Sequence, residues 1–336
     1  PDSLAVKANT VMVSPYHASD KDLTTAAVSS VGGWQLEYLP GINRTNLLNG
    51  RGTGFLGIQH DGELGIESNS MYIRGLRSIS SDSRQAAILV DGYVRKDANR
   101  ISPADIESVT ILKDAAATAL YGSEAANGAI IITTKSGEGQ DGSVSVTFTS
   151  NFVVDQINSS PDFQYVYGQG SAKGNDGFHY GDPVDGEGSN TTDVSSWGPK
   201  MDGTLYHQYY DASRGIGVDE NGVRIKTPFV SYGNWFKNFF QTGWTATNTL
   251  SVSGKINKNN AIRFSVTDYR SESIVPNSPW SKQSLSLKSN NKINRWLSVD
   301  TSLTYYRKDD DNLPVMGYGS SSIMYSLWCM APNIDM

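Results

Sequence analysis

Two rhythms of apolar and polar positions divide this chain. Up to about residue 140, short apolar runs alternate with glycines: Ala86 to Val90, Val109 to Leu112 and Ala129 to Thr133. Runs that are short, rich in β-branched residues and closed by turn formers predict strands. Between the last two lies the alanine-rich stretch Ala115 to Tyr121. Asp114 is placed to cap it as a short helix, and Gly122 to close that helix in a left-handed conformation. Residues 31–140 therefore read as a small mixed α/β domain. Residues 1–30 are polar and small, with one β-like run at Thr10-Val11-Met12-Val13.

After Gly142 the period becomes two. Val144, Val146 and Phe148 alternate with Ser143, Ser145, Thr147 and Thr149, and Ile262, Phe264 and Val266 with Arg263, Ser265 and Thr267. Leu250 and Val252, Leu285 and Leu287, and Leu297 to Tyr305 continue the pattern, which gives five strands between Gly142 and Tyr306. Each strand then has one apolar and one polar face. A soluble sandwich turns the apolar face inward, whereas an outer-membrane barrel turns it to lipid. The barrel is favoured by connections that alternate short (Lys255 to Asn260, Asn290 to Arg295) and long (Arg270 to Ser281, about Asp155 to Thr242). Trp244, Trp280 and Trp296 fall at strand ends, where interfacial rings belong.

Composition narrows the classes. Of 336 residues 38% are hydrophobic, and no apolar run approaches the roughly 18 residues of a membrane helix. The 17 tyrosines, 7 tryptophans and 33 glycines suit strands, turns and aromatic girdles. A net charge of -6 without basic clusters argues against a nucleic-acid partner. Cys329 is the single cysteine, so neither a disulfide framework nor a thiolate metal cluster is expected; its run, Ser326 to Met330, reads as a buried apolar patch. His17, His60, His179 and His207 are scattered without an i,i+4 pair, which leaves zinc unsupported. No Ser-His-Asp or Cys-His grouping stands out, and the chain is not expected to be an enzyme. Gly52-Thr53-Gly54-Phe55-Leu56-Gly57 matches a dinucleotide-binding fingerprint in letters only, because polar residues precede it and no helix is predicted after it. Pro1 opens on no signal peptide, so any export signal is expected outside this sequence or already removed.

The most telling stretch runs from Tyr72 to Gly137. Tyr72-Ile73-Arg74-Gly75 and Ile88-Leu89-Val90-Asp91-Gly92 are followed by Asp105-Ile106-Glu107-Ser108-Val109-Thr110-Ile111-Leu112-Lys113-Asp114. Then come Leu120-Tyr121-Gly122-Ser123-Glu124-Ala125-Ala126-Asn127-Gly128 and the strand Ala129 to Lys135. This series closely resembles the plug domain of SusC-like TonB-dependent outer-membrane transporters. Asn248 to Gly254, Ile274 to Ser278 and Lys292 to Leu297 look like the first barrel strands of the same family. The resemblance implies an N-terminal segment over 1–30, a small mixed α/β plug over 31–140, and antiparallel strands of a transmembrane β-barrel over 141–336, with a long extracellular loop at about 155–242. A complete barrel of this family has about 22 strands, and an open five-stranded sheet leaves unpaired backbone groups in lipid. Further strands are expected, on a longer polypeptide as the family has it, or on another chain.

Within that frame, Asn9-Thr10-Val11-Met12-Val13-Ser14 resembles a TonB box, which an energising protein grips by strand addition. Ser14-Pro15-Tyr16-His17 departs from the Gly-Tyr-Gly run common there, and an ordinary linker strand is the plain alternative. Arg74-Gly75, Asp91-Gly92, Lys113-Asp114, Tyr121-Gly122 and Asn127-Gly128 are structural plug motifs whose glycines end strands and form turns. Arg74 and Lys113 could hold the plug through carboxylates on barrel strands, or point to solvent. In the loop, Tyr165, Tyr167, Tyr180, Trp197 and Tyr209 are candidates to stack on a ligand or dock a lid, against the alternative that most such rings pack the loop's own small core. Asp176, Asp182, Asp185, Glu187 and Asp193 could offer oxygen ligands to calcium, although EF-hand spacing is missing, and no other cofactor is expected.

The function implied is energised import across the outer membrane of a Gram-negative bacterium. An oligosaccharide or peptide substrate would be held beneath a SusD-like surface lipoprotein, and TonB would pull the plug. Transporter–lid pairs could associate as dimers. The alternative is a SusC-like structural subunit of an outer-membrane assembly without transport; a soluble secreted β-protein ranks last.

Overall fold

The computed structural model describes residues 10–14, 17–20, 26–37, 47–59, 69–76, 85–95, 101–137, 142–172, 178–179, 196–315, 319 and 321–334. They form two compact units: residues 1–154, 244–272 and 278–313 in the first, and 155–243, 273–277 and 314–336 in the second.

The first unit begins with a hairpin of β1 (Thr10–Ser14) and β2 (His17–Asp20), whose register shifts between Met12 and Ser14. An α/β body follows. It contains β3 (Val28–Gly32), β4 (Phe55–Gln59), β5 (Asn69–Ile73), β6 (Ala87–Val90), β7 (Tyr93–Val94), β8 (Ile106–Leu112) and β9 (Ala129–Thr134). Five of these make one sheet in the order β3-β8-β9-β6-β7, and β4 pairs with β5 separately. The three expected strands are β6, β8 and β9. Central β9 is apolar on both faces because both are covered. Ile130 and Ile132 pack with Val31, Leu36 and Ile106, while Ile131 packs with Leu89, Leu112 and Ala125. A strand follows Gly52 to Gly54 rather than a helix, so the dinucleotide fingerprint has no structural counterpart.

The glycine motifs act through backbone geometry. Asp91 and Gly92 both have positive φ, 45° and 92°, and make the two-residue turn between paired Val90 and Tyr93. The helix expected over Ala115 to Tyr121 is shorter: α-helical turns cover Ala115–Thr118, and a 3-10 stretch continues over Ala119–Ala125. Gly122 is the reason. At φ 62°, ψ -147° it is not left-handed helical but in a region essentially reserved for glycine, and it breaks the helix at that point. The Asp114 carboxylate accepts the Ala27 amide at 2.9 Å, which ties the helix start to the segment before β3.

β10 (Ser143–Asp155) opens a second sheet in the same unit. The second unit then supplies two short pairs, β11 (Ser171–Ala172) with β12 (Phe178–His179) and β13 (Leu205–Tyr206) with β14 (Thr227–Pro228). The sheet resumes with β15 (Gly243–Asn257), β16 (Asn260–Glu272), β17 (Pro279–Lys292) and β18 (Ser298–Asp310), in the order β10-β15-β16-β17-β18. Its burial is inverted. On β16, Arg263, Ser265, Thr267 and Tyr269 are at most 9% exposed, while Ile262, Phe264 and Val266 are 37–39% exposed. On β10, Val144, Val146, Phe148, Phe152 and Val154 are 57–71% exposed. Apolar-out, polar-in alternation is what a lipid-facing barrel wall requires.

Two details differ from expectation. The connection expected from Arg270 to Ser281 shrinks to residues 273–278, because pairing extends to Glu272 opposite Pro279. Of the three tryptophans, Trp244 lies outside and stacks on Phe152 at 6.2 Å, and Trp296 is 81% exposed. Trp280, however, is buried on the inner face against Tyr269 at 4.4 Å, because it shares the strand parity of Lys282 and Ser284.

The second unit has its own small core. The helices Trp235–Phe239 and Ile323–Cys329 are capped by the side chains of Asn234 and Ser322 and bring together Trp235, Phe236 and Leu327. Phe163 packs there at 4.8 Å from Trp235, and Tyr165 at 5.6 Å from the same ring. The run Ser326 to Met330 is therefore not buried throughout: Leu327 points into the core, Cys329 is half-buried and Trp328 is 56% exposed.

Gly128 tests the packing of the first sheet. Its φ is 94°, and a Cβ there would lie 2.8 Å from both the Leu112 carbonyl oxygen and Ile73 Cδ1. Gly128→Ala is expected to cost about 1–3 kcal/mol. Limited proteolysis should then cut the α/β body faster while sparing the strands after residue 142.

Candidate functional site

A polar constellation joins the α/β body to the inner face of β16 and β17. It is built by period two. Arg263, Ser265 and Thr267 are successive inward side chains of β16, and all three read one turn of the body. Arg263 Nη2 lies 3.1 Å from Asp105 Oδ1, Ser265 Oγ donates to the same oxygen at 2.7 Å, and Thr267 Oγ1 donates to Ser102 Oγ at 3.2 Å. Asp105 closes the 3-10 turn Pro103–Asp105, and its carbonyl accepts the Lys135 amide at 2.8 Å. The Arg263 and Asp105 side chains are only 10% and 7% exposed.

A second knot lies on β17. Lys288 Nζ donates to Asp91 Oδ1 at 3.1 Å and to the Thr134 carbonyl and hydroxyl, each at 2.9 Å, which uses all three ammonium hydrogens. Asp91 also accepts the Thr134 amide at 2.9 Å and its hydroxyl at 2.5 Å. The positive φ of the Asp91-Gly92 turn is what aims this carboxylate back across the end of β9. Beside the knot opens a polar cavity of about 880 Å³, lined in part by Ser286, Asn290, Asp300 and Tyr306. A third contact joins Glu37 to Lys135 at 3.1 Å and to Thr149 of β10 at 3.4 Å. Gly137, where the body leaves for the second sheet, would put a Cβ 2.4 Å from the Ile262 backbone, so only glycine lets it run flush with the wall.

The polarity is the reverse of the anchoring considered for Arg74 and Lys113, the first of their two readings. The body supplies the carboxylates and the strands supply the cations. Lys113 Nζ instead donates to Thr53 Oγ1 at 2.7 Å within the body, and Arg74 is exposed at φ 58° with its amide bonded to the Gly54 carbonyl at 2.8 Å. Sequence reasoning missed Asp105, Arg263, Lys288 and Thr134. The available signal was a long cation on a strand face otherwise made of serine and threonine. Gly75 and Gly128 have positive φ like Gly92, and Tyr121 packs half-buried beside Ala125.

The candidate loop aromatics separate. Tyr165 joins the small core, whereas Tyr167 and Trp197 are 48% and 68% exposed beside a cavity of about 440 Å³, and Tyr209 is 42% exposed. Asx turns stiffen the same unit. Thr204 donates its hydroxyl and amide to Asp202, and Ser213 does so to Asp211, which holds both carboxyls below their ordinary value. That support is present above the ordinary carboxylate pKa and is lost as pH falls through the lowered one. Among the described residues no three His, Cys, Asp or Glu side chains gather as a metal site. Asn9, Tyr180, Asp176, Asp182, Asp185, Glu187 and Asp193 lie outside the described residues. Thr10 to Ser14 form β1.

Comparison with known proteins points one way. The family model for the TonB-dependent Receptor Plug Domain matches residues 20–129. The TonB-dependent receptor SusC of Bacteroides thetaiotaomicron is 38% identical over 152 residues, 42% of this chain and 15% of that protein. The TonB-dependent receptor P3 of Formosa agariphila is 28% identical over 226 residues, 64% of this chain and 22% of that protein. Among solved structures, the RagAB peptide importer in its open-open state is 21% identical with a TM-score of 0.66, covering 95% of this chain and 34% of that one. The match thus spans 15–22% of the curated relatives' length and about a third of that structure's.

Removing one partner of the Asp105 pair should expose its energetics. Arg263→Ala leaves a buried carboxylate uncompensated and is expected to cost about 3–5 kcal/mol, with Asp105→Asn in the same protein recovering much of it. Denaturant unfolding of the two single variants and the double variant reads the coupling.

Proposed function

We propose that residues 20–129, which match the model of the TonB-dependent receptor plug, and the strands behind them belong to a SusC-like outer-membrane importer, and that the chain serves TonB-driven import of an oligosaccharide or peptide. In this reading a SusD-like lipoprotein closes over the substrate, and transporter–lid pairs can associate as dimers. The TonB box is Asn9 to Ser14, an extended segment suited to strand addition.

One observation supports the mechanism above all: the order of the plug elements along the chain. β1 and β3 lie upstream of both ionic latches, and among the described residues β3 sits at the edge of the plug sheet, paired with β8 alone. A pull from the N-terminus therefore reaches the Val28 to Gly32 ladder before it reaches Asp91 or Asp105. An edge strand can leave without breaking the pairs behind it, whereas the latched strands are held by buried charge. Peeling of β3 opens the plug, while β6, β8 and β9 stay fixed to the wall through Lys288 and Arg263.

The structural-subunit reading has one observation in its favour. β2 already occupies one edge of β1, and the residues between them, Pro15 and Tyr16, depart from the common run. Val11→Pro removes a backbone donor from β1 and is expected to abolish uptake at unchanged outer-membrane abundance. Unimpaired uptake by that variant would instead favour the subunit reading. In a Cys329→Ser background, Val31→Cys with Val109→Cys joins two directly paired positions of β3 and β8. Uptake should stop on oxidation and return on reduction; uptake that ignores the crosslink would rule out peeling of β3.

A further inference from the structure

We propose that the short-turn end of the wall is a docking surface for anionic phospholipid, centred on Arg295 and Trp296. The proposal rests on the outer-membrane placement of the strands and not on import. β15 to β18 have 13–15 residues each, whereas about 9–11 tilted residues are enough to cross a bilayer. The strand ends therefore stand at headgroup level. Short connections of such a wall face the periplasm, so the lipid within reach belongs to the periplasmic leaflet.

Two short turns form one surface. Asn260 of β16 pairs with Asn291 of β17, and the Lys292 amide donates to the Asn259 carbonyl at 2.7 Å, so the turn after β15 lies against the turn after β17. Asparagine fixes both. Asn257 Oδ1 accepts the Asn259 amide at 2.8 Å, and Asn294 Oδ1 accepts the Trp296 and Leu297 amides at 2.8 and 2.9 Å. The Ile293 amide closes the second turn on the Leu297 carbonyl at 3.0 Å. This frame holds Ile256, Ile293 and Trp296 outward, at 66%, 61% and 81% exposure. Large apolar groups left in water forgo the stabilisation of burial, which acyl chains would supply here. A tryptophan at such a boundary sets its ring toward the chains and its polar edge among headgroups.

Charge decides which lipid. Residues 255–260 and 291–298 contain Lys255, Lys258, Lys292 and Arg295 and no acid, in a chain whose net charge is -6. Lys258, Lys292 and Arg295 are exposed, and among the described residues no carboxylate pairs with them. The other end of the same strands differs: Arg270, Arg307 and Lys308 are each held by an aspartate, at 2.9, 2.8 and 2.7 Å. Cations are thus neutralised within the protein at the long-connection end and left for an outside anion at the short-turn end. Arg295 stacks over the Trp296 ring at 4.5 Å. A stacked guanidinium keeps its N–H edge free, and that planar fork matches two oxygens of a phosphodiester. A zwitterionic headgroup would bring its own ammonium beside these cations, which disfavours it.

The test offers the whole purified, delipidated protein equimolar phosphatidylglycerol and phosphatidylcholine in detergent and counts retained lipid by native mass spectrometry. A preference of at least about fivefold for phosphatidylglycerol is expected, shrinking in about 0.5 M salt. Arg295→Gln and Lys258→Gln should each weaken phosphatidylglycerol retention about fivefold and leave phosphatidylcholine unchanged. Arg307→Gln, at the other end, should change neither. An unchanged protease pattern verifies that the variants keep their fold. The proposal is overturned if the two lipids are retained equally or if both glutamine variants at the turns keep the preference. It is also overturned if Arg307→Gln removes the preference, if inorganic phosphate displaces the lipid completely, or if lipid A is retained in its place. Val11→Pro protein should retain lipid as wild type, so failure of the import reading and failure of this one give different results.

Discussion

A sheet that exposes its apolar side chains and buries its polar ones must find a partner for every polar group it turns inward. This constraint governs the first unit. β16 turns Arg263, Ser265 and Thr267 inward, and the plug answers with Asp105 and Ser102; β17 turns Lys288 inward, and the plug answers with Asp91 and Thr134. Hydrophobic burial, which normally decides how two bodies fit, operates inside the plug around β9 but not across the seam. There, the fit is specified by hydrogen-bond geometry.

Such a seam is specific rather than strong. Desolvation of two charges offsets much of their attraction, so a buried ion pair adds little net stability while making every misalignment expensive. The Asp105 and Asp91 latches therefore fix where the α/β body sits against β16 and β17. They also divide it: the segments carrying β1 to β3 are upstream of every latched residue, including Glu37, which bonds the Thr149 hydroxyl of β10.

Much of the architecture is legible in the sequence, for physical reasons. Period two survives in β10 and in β15 to β18 because apolar side chains take one face of each strand and polar ones the other, so all five strands can be read from Val144, Leu250, Phe264, Leu285 and Leu303 with their neighbours. Parity alone also predicts that Trp280 faces inward with Lys282, although its place at a strand end suggests an interfacial ring. The helix after Asp114 is overextended by pattern reasoning because alanine content says nothing of the ψ at Gly122. The seam is the least legible part. Asp105 and Arg263 stand 158 residues apart, and no local rhythm links them. Tyr165 and Tyr167 are alike in sequence, and only the positions of Trp235 and Gln164 decide which is core and which is exposed.

The pairing pattern of the plug sheet also has a consequence for biogenesis. β3 pairs with β8 between Val28 and Leu112, and β6 pairs in parallel with β9 from Ala87 to Ala129, so the sheet closes only when distant segments meet. β15 to β18, by contrast, pair each with its immediate successor. Non-local pairing slows folding, and local hairpins speed it. The two faces of apolar β9 are therefore covered only once segments far apart in the chain have come together, whereas each strand from β15 onward needs only its neighbour.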